Sequence, residues 1–275
     1  MSPAPRAWVL NLDADRELAL GPDHPRSTAL RAQLHAHAAP VAATLPAGDV
    51  WVDGPGDPRG LEGRCWCPTP SARARLSEVA ARLSAHDPPF EVLRRVNGRS
   101  FSHRLCPLEG ERALHDPDAA RRTLERGHWM VHREHTFAGR GHRFVHGPPT
   151  AEDLGWIDKG LTLGPLFAAP RLALELEVAL HGHVRPGGGV DRGVVTAQEV
   201  DRGQWRRSVR AEGALRADEA RALERAFEAV AAALIDAGYT GPFGLDAFRH
   251  AGGFHPLSEL NARYSMGYPV GMGGW

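Results

Sequence analysis

The chain is 275 residues long, enough for two or three packed units around a sizeable core. Its 33 Lys and Arg balance its 33 Asp and Glu, so no basic surface is offered to nucleic acid or to an anionic membrane, and any phosphate binding has to be local. No apolar run approaches the ~20 residues that cross a bilayer, and the first six residues lack the apolar stretch of a signal peptide, so a cytoplasmic protein is expected.

Residues 7–12 form a short apolar run suited to a buried first strand, with Asp13 at its end. Residues 26–38 have helical character. Residues 49–53 read as a second strand, closed by the breaker cluster Gly54-Pro55-Gly56-Asp57-Pro58. Arg64-Cys65-Trp66-Cys67 leads through Pro68-Thr69-Pro70 into a helix expected over 71–86, and residues 90–96 read as a further strand. This alternation of strand and helix implies a small α/β layer. The three cysteines, Cys65, Cys67 and Cys106, cannot all pair and lack zinc-finger spacing, so they are expected to be reduced structural thiols.

Asn97-Gly98 reads as a turn between this layer and the next unit. Asp116 and Pro117 open the next helix as N-cap and first helical residue, and it is expected to end near Gly127. Residues 128–133 read as a strand whose partner returns over 137–145. Between them Gly139 and Gly141 allow a backbone to approach a ligand closely and aim its N–H groups inward, a property that hairpin turns share. A short helix capped by Thr150 is expected over 150–159, then a strand at 166–169.

Residues 172–184 alternate as a half-polar strand bearing Glu175, Glu177, His181 and His183. His-x-His on a strand aims both rings one way, but no Cys or Asp cluster nearby completes a zinc site. Turns at 185–189 and 201–205 come next. Residues 216–238 carry the clearest helical periodicity, ended by Gly238. The glycine-rich end from Met266 to Trp275 reads as loosely structured.

Two short alternating runs, 243–249 and 254–261, flank Ala251-Gly252-Gly253 and predict a hairpin. Asp246 lies on one strand. Glu259 and Asn261, two residues apart on the other, share a face, and Arg263 continues it. Two carboxylates and an amide make an oxygen-rich site suited to Mg²⁺.

The spacing of Asp246, Glu259, Asn261 and Arg263, after the lead-in Gly238-Tyr239-Thr240-Gly241-Pro242-Phe243-Gly244, resembles the metal-binding hairpin of the ATP-grasp ligases. The resemblance covers about residues 95–265. It implies an α+β ATP-grasp fold, with an N-terminal α/β (pre-ATP-grasp) domain at 1–105 and an ATP-grasp domain at 106–275. Within the latter it implies a lid at about 112–165 and a C-terminal lobe at about 166–275.

The same resemblance implies ATP and Mg²⁺ as cofactors and ligation of a small-molecule or peptide carboxylate to an amine through an acyl phosphate. Asp246, Glu259 and Asn261 would hold Mg²⁺, and Arg263 would meet the transferred phosphoryl group. Ala138, Gly139, Arg140 and Gly141 would cover the β- and γ-phosphates, and Glu177 would take the ribose hydroxyls or a metal. Two departures stand out. Where the family commonly has a phosphate-binding lysine, this chain has His132 and Arg133, of which Arg133 is the better phosphate partner. Where the hinge usually carries an acid, it has Ala168-Ala169. These departures favour the alternative, a catalytically inactive ATP-grasp protein that binds nucleotide; a histidine-rich metalloprotein is the third reading.

Overall fold

The computed structural model describes residues 4–137, 140–201 and 204–275. The chain opens with β1 (Arg6–Val9), α1 (Ala14–Leu20), α2 (Thr28–Ala42), β2 (Val50–Trp51), β3 (Glu62–Cys65) and α3 (Pro70–Glu78). The strands form a parallel sheet in the order β2-β1-β3, a small α/β layer of the kind expected, although its third strand, β3, was not read as one. The third helix stops well short of His86. Ala80 takes a positive φ of 54°, and the Arg82 N–H then donates to the Leu61 carbonyl at 2.8 Å, so the chain turns back beside β3 instead of continuing as helix. Cys65 and Cys67 are buried and unpaired, and burial pushes both thiols up.

Residues 90–96 are not a strand. They form α4 (Phe90–Val96), followed by α5 (Arg99–Leu105). Phe90, Leu93 and Val96 fall at helical spacing after Pro89, and Leu93 and Val96 are fully buried against the C-terminal sheet. Core packing on one helical face outweighs the weak strand character of a short apolar run.

A four-stranded antiparallel sheet comes next, built from β4 (Arg112–Leu114), α6 (Pro117–Leu124), β5 (His128–Phe137), β6 (Arg140–His146), α7 (Ala151–Leu161) and β7 (Leu166–Pro170), in the order β4-β7-β5-β6. Because β7 lies between β4 and β5, this sheet extends to Pro170 and past residue 165. Both helices carry the predicted caps. Asp116 accepts from the Ala119 N–H at 2.7 Å, and Thr150 forms a reciprocal capping box with Asp153. One sheet face packs on α6 and α7 through Leu124, Val131, Val145 and Ile157.

The remaining strands make a five-stranded antiparallel sheet in the order β10-β9-β8-β11-β12, formed by β8 (Leu174–Val184), β9 (Val190–Asp201), β10 (Gln204–Arg210), β11 (Gly241–His250) and β12 (Gly253–Asn261). Between β10 and β11 runs α8 (Ala217–Asp236). Its stripe of Leu223, Phe227, Val230 and Leu234 is buried on one face of this sheet, together with α4 and α5. Each such side chain contributes about 1.5–3 kcal/mol when fully buried. Gly182 permits the approach, since a Cβ there would lie 2.6 Å from Phe243 and 2.7 Å from Phe227. The helix start is pinned by Glu219, which is 3% exposed and accepts from Arg249.

The C-terminal end is ordered, contrary to the sequence expectation. After α9 (Tyr268–Met272), Trp275 packs with Trp8, Trp66 and Tyr264, and its indole N–H donates to the Thr44 carbonyl at 2.9 Å. Aromatic burial against the first sheet outweighs the flexibility that the glycines suggest. Among the described residues no helix is long and apolar enough to cross a membrane.

Candidate functional site

The two larger sheets meet around a cavity of about 420 Å³, bordered by His132, Thr136 and His142 from one and by Ala179, Gln198, Asp246, Glu259 and Asn261 from the other. The hairpin builds its floor as the alternation predicted. Asp246 is paired directly with Glu259 across the β11–β12 ladder, and a bulge intervenes before Phe248 pairs with His255. The Asn261 amide donates to Asp246 Oδ2 at 3.1 Å. On the other side of β11, Ala179 pairs with Asp246 and Glu177 with Phe248, so Glu177 lies on the same face as the two acids.

This crowding has an electrostatic cost. Burial, then the charges of Glu259 and Glu177, push the Asp246 carboxyl up to about 8. Burial also raises Glu259, against the pull of Arg263 and Arg99. At neutral pH the pair therefore keeps a proton unless a cation compensates it. No cluster of three or more His, Cys, Asp or Glu in metal-holding geometry occurs among the described residues. The donor set is two carboxylates and an amide, which fits Mg²⁺ because that ion keeps several waters and uses one or two carboxylates beside phosphate oxygens.

Arg263 reaches the same region, but its guanidinium is already engaged. It donates to Asp15 of α1 through Nη2 at 2.7 Å and Nε at 3.3 Å. Burial alone would weaken its charge; Asp15 and Glu259 more than offset this and hold its pKa above the usual arginine range. The start of this segment is fixed by Asn97, whose carboxamide accepts from the Ala262 N–H at 2.9 Å and donates to the Ala262 and Leu93 carbonyls. Asn97 is thus more than a turn residue.

Strand alternation separates His132 from Arg133. His132 faces the acids, 6.0 Å from the His142 ring. Burial first, then Arg99 and His142, push its pKa down to about 2, so it is a neutral imidazole. Arg133 projects the other way. Its guanidinium lies 4.6 Å from the centroid of Trp156 on α7, with Nε buried and unpartnered, and the residue also borders the small cavity shared by Glu259, Asn261 and Arg263. A second cation comes from α5. Arg99, at the start of α5, borders the small cavity shared by Glu259, Asn261 and Arg263, and pairs with Glu111 at 3.2 Å.

Of the other expected residues, Gly141 has φ +135° and borders a cleft on the α1 side. Arg140 begins β6, paired with Phe137. Ala138 and Gly139 lie outside the described residues. The two histidines of β8 do not form a metal pair: His181 Nε2 meets Ser265 Oγ at 2.9 Å, and His183 Nδ1 meets the Tyr268 hydroxyl at 3.0 Å. Asp15 and Arg99 were missed because each reaches the hairpin only through tertiary folding. The Gly98-Arg99 helix start was the one local signal for a cation here.

No family model matches the chain, and no curated protein matches it. Solved structures do. The N5-carboxyaminoimidazole ribonucleotide synthetase of Thermus thermophilus is 19% identical, with a TM-score of 0.53 over 94% of this chain and 71% of that one. The carboxyaminoimidazole ribonucleotide synthase of Aspergillus clavatus, complexed with ATP, is 14% identical with a TM-score of 0.50 over 70% of this chain; the match spans 50% of that chain. The biotin carboxylase domain of the Hydrogenobacter thermophilus 2-oxoglutarate carboxylase, in complex with MgADP, ADP and bicarbonate, is 16% identical with a TM-score of 0.52 over 72% of this chain and 46% of that one. At these identities the likeness is one of fold.

Proposed function

We propose that this chain, whose fold is the ATP-grasp fold of those enzymes, is an ATP- and Mg²⁺-dependent carboxylate–amine ligase. The observation that carries the reading is the pairing of Asp246 with Glu259 on the cavity floor, with the Asn261 amide on Asp246. ATP and Mg²⁺ binding by the solved relatives supports the same reading.

In this reading Asp246, Glu259 and Asn261 hold Mg²⁺, with Glu177 beside them as a metal or ribose partner. When bound, Mg²⁺ supplies charge neutralisation at the phosphate oxygens. Arg263, kept charged by Asp15, faces the phosphoryl group that moves. Arg99, which borders the small cavity beside Glu259 together with Arg133, shares the phosphate-side role expected of Arg133. The segment 138–141 covers the phosphates. A carboxylate oxygen attacks the γ-phosphorus and ADP leaves; the deprotonated amine then attacks the acyl carbon, the C–O bond to phosphate breaks, and phosphate leaves. The protein's work is positioning and electrostatic compensation.

The test is ADP release with Mg²⁺, ATP and mixtures of carboxylates and amines. Turnover that requires both substrates supports ligation. Mg²⁺-dependent binding of a nonhydrolysable ATP analogue without any turnover favours instead a nucleotide-binding protein, a reading that the neutral His132 in the lysine position supports. No nucleotide binding removes both.

A further inference from the structure

A second cleft of about 360 Å³ lies between α1, β5 and α7, within the range of small-molecule sites. Asp15 borders both this cleft and the cavity of the hairpin acids, so it marks the inner end where the two adjoin. The lining is of three kinds. Asp15 and Glu134 bring carboxylates: Asp15 receives Arg263, and Glu134 accepts from the Ser100 hydroxyl at 2.7 Å. Arg16 and Arg133 bring cations for which no acidic partner occurs among the described residues, and Arg133 Nε is buried with no hydrogen-bond partner. The rest is apolar: the Trp156 ring forms a wall, and Leu20 and Leu163, 45% and 42% exposed, stand at the cleft as large apolar side chains left in water.

A ligand that satisfies all three kinds of surface carries a cation, an anion and an apolar body in the space of one small molecule. We propose that this cleft binds an α-amino acid with an apolar side chain: its ammonium group meets Asp15 and Glu134, its carboxylate meets Arg133 and Arg16, and its side chain covers Leu20, Leu163 and Trp156. The proposal rests on the ligase reading above only for its consequence, that this amino acid is the amine substrate, presented through the Asp15 end to the acyl phosphate.

The test is calorimetric titration of the full chain with L-leucine, with and without a nonhydrolysable ATP analogue. Leucine and phenylalanine are expected to bind, whereas glycine and glutamate, N-acetyl-leucine and leucinamide each bind about tenfold or more weakly. Leu163→Glu, a change at an exposed position, is expected to weaken leucine by a similar factor, with folding checked by circular dichroism and by the parallel variant Leu20→Glu. Absence of leucine binding in both conditions, or binding that neither variant alters, overturns the proposal. Failure of the nucleotide alone to bind removes the ligase reading and leaves the leucine result to decide the cleft.

Discussion

Asp15 and Arg263, 248 positions apart, form a two-pronged ion pair with both side chains largely buried, 8% and 13% exposed. It fastens the first helix of the N-terminal layer to the segment that leaves the β11–β12 hairpin. Removing one partner strands the other charge in a poorly solvated place, which costs about 3–5 kcal/mol. Asp15→Ala is therefore expected to lower the unfolding free energy by about that amount, and Arg263→Ala by a similar amount. The double variant should lose less than the sum. Urea unfolding of the three variants measures this; additive losses would mean that the two side chains do not act as a pair.

The acid pair makes a pH prediction. Asp246 has its folded pKa raised, to about 8. A group so raised contributes stability that is present below its unfolded pKa, about 4, and lost as pH rises through about 8. Without divalent cation, the melting temperature should fall between pH 5 and 8 through this group, and Asp246→Asn should flatten the fall. Mg²⁺ competes with the proton, so its affinity should rise with pH up to about 8 and level off above it. A Mg²⁺ titration across this range checks both statements. A pH-independent affinity would remove Asp246 from the ligand set.

The hairpin was legible because its signals are local: period-two alternation fixes which side chains share a face, and Ala251-Gly252-Gly253 fixes the bend. The same locality explains the failures. Residues 90–96 are too short for periodicity to separate strand from helix, and burial of Leu93 and Val96 decided it. The ordered C-terminus depends on Trp8 and Trp66, which no local reading connects to Trp275. Arg133 was expected at the phosphates from its place at the end of the strand before the glycine loop, and its stacking on Trp156 is a tertiary contact that the strand pattern does not show. Arg99 and Asp15 face the hairpin only because the helices carrying them pack there.

A stability prediction isolates the core from the site. Glu219 is held down to about 2, first by its hydrogen bonds from Arg249. Arg249 lies on the α8 side of β11, away from Asp246. A carboxylate so depressed contributes stability above its unfolded pKa, and that stability is lost as pH falls toward 2. Glu219→Gln should cost about 3 kcal/mol at neutral pH and remove part of the acid-side loss of stability. Affinity for an ATP analogue should stay within about twofold. A large change in that affinity would mean that α8 is coupled to the cavity.

The two arginines beside the four-stranded sheet make different predictions for nucleotide. Both border the small cavity that holds Glu259 and Arg263, and the charge of Arg99 helps to depress His132. Arg133 stacks on Trp156 and has no acid near enough to raise its pKa, which burial lowers. If charge at the phosphates sets affinity, Arg99→Ala should weaken an ATP analogue by about tenfold or more and reduce the salt dependence of binding. Arg133→Ala should give the smaller loss for nucleotide and the larger one for leucine. The reverse order would mean that Arg133 leaves Trp156 when nucleotide enters, so that a neutral His132 marks a site completed by movement of the strand beside it.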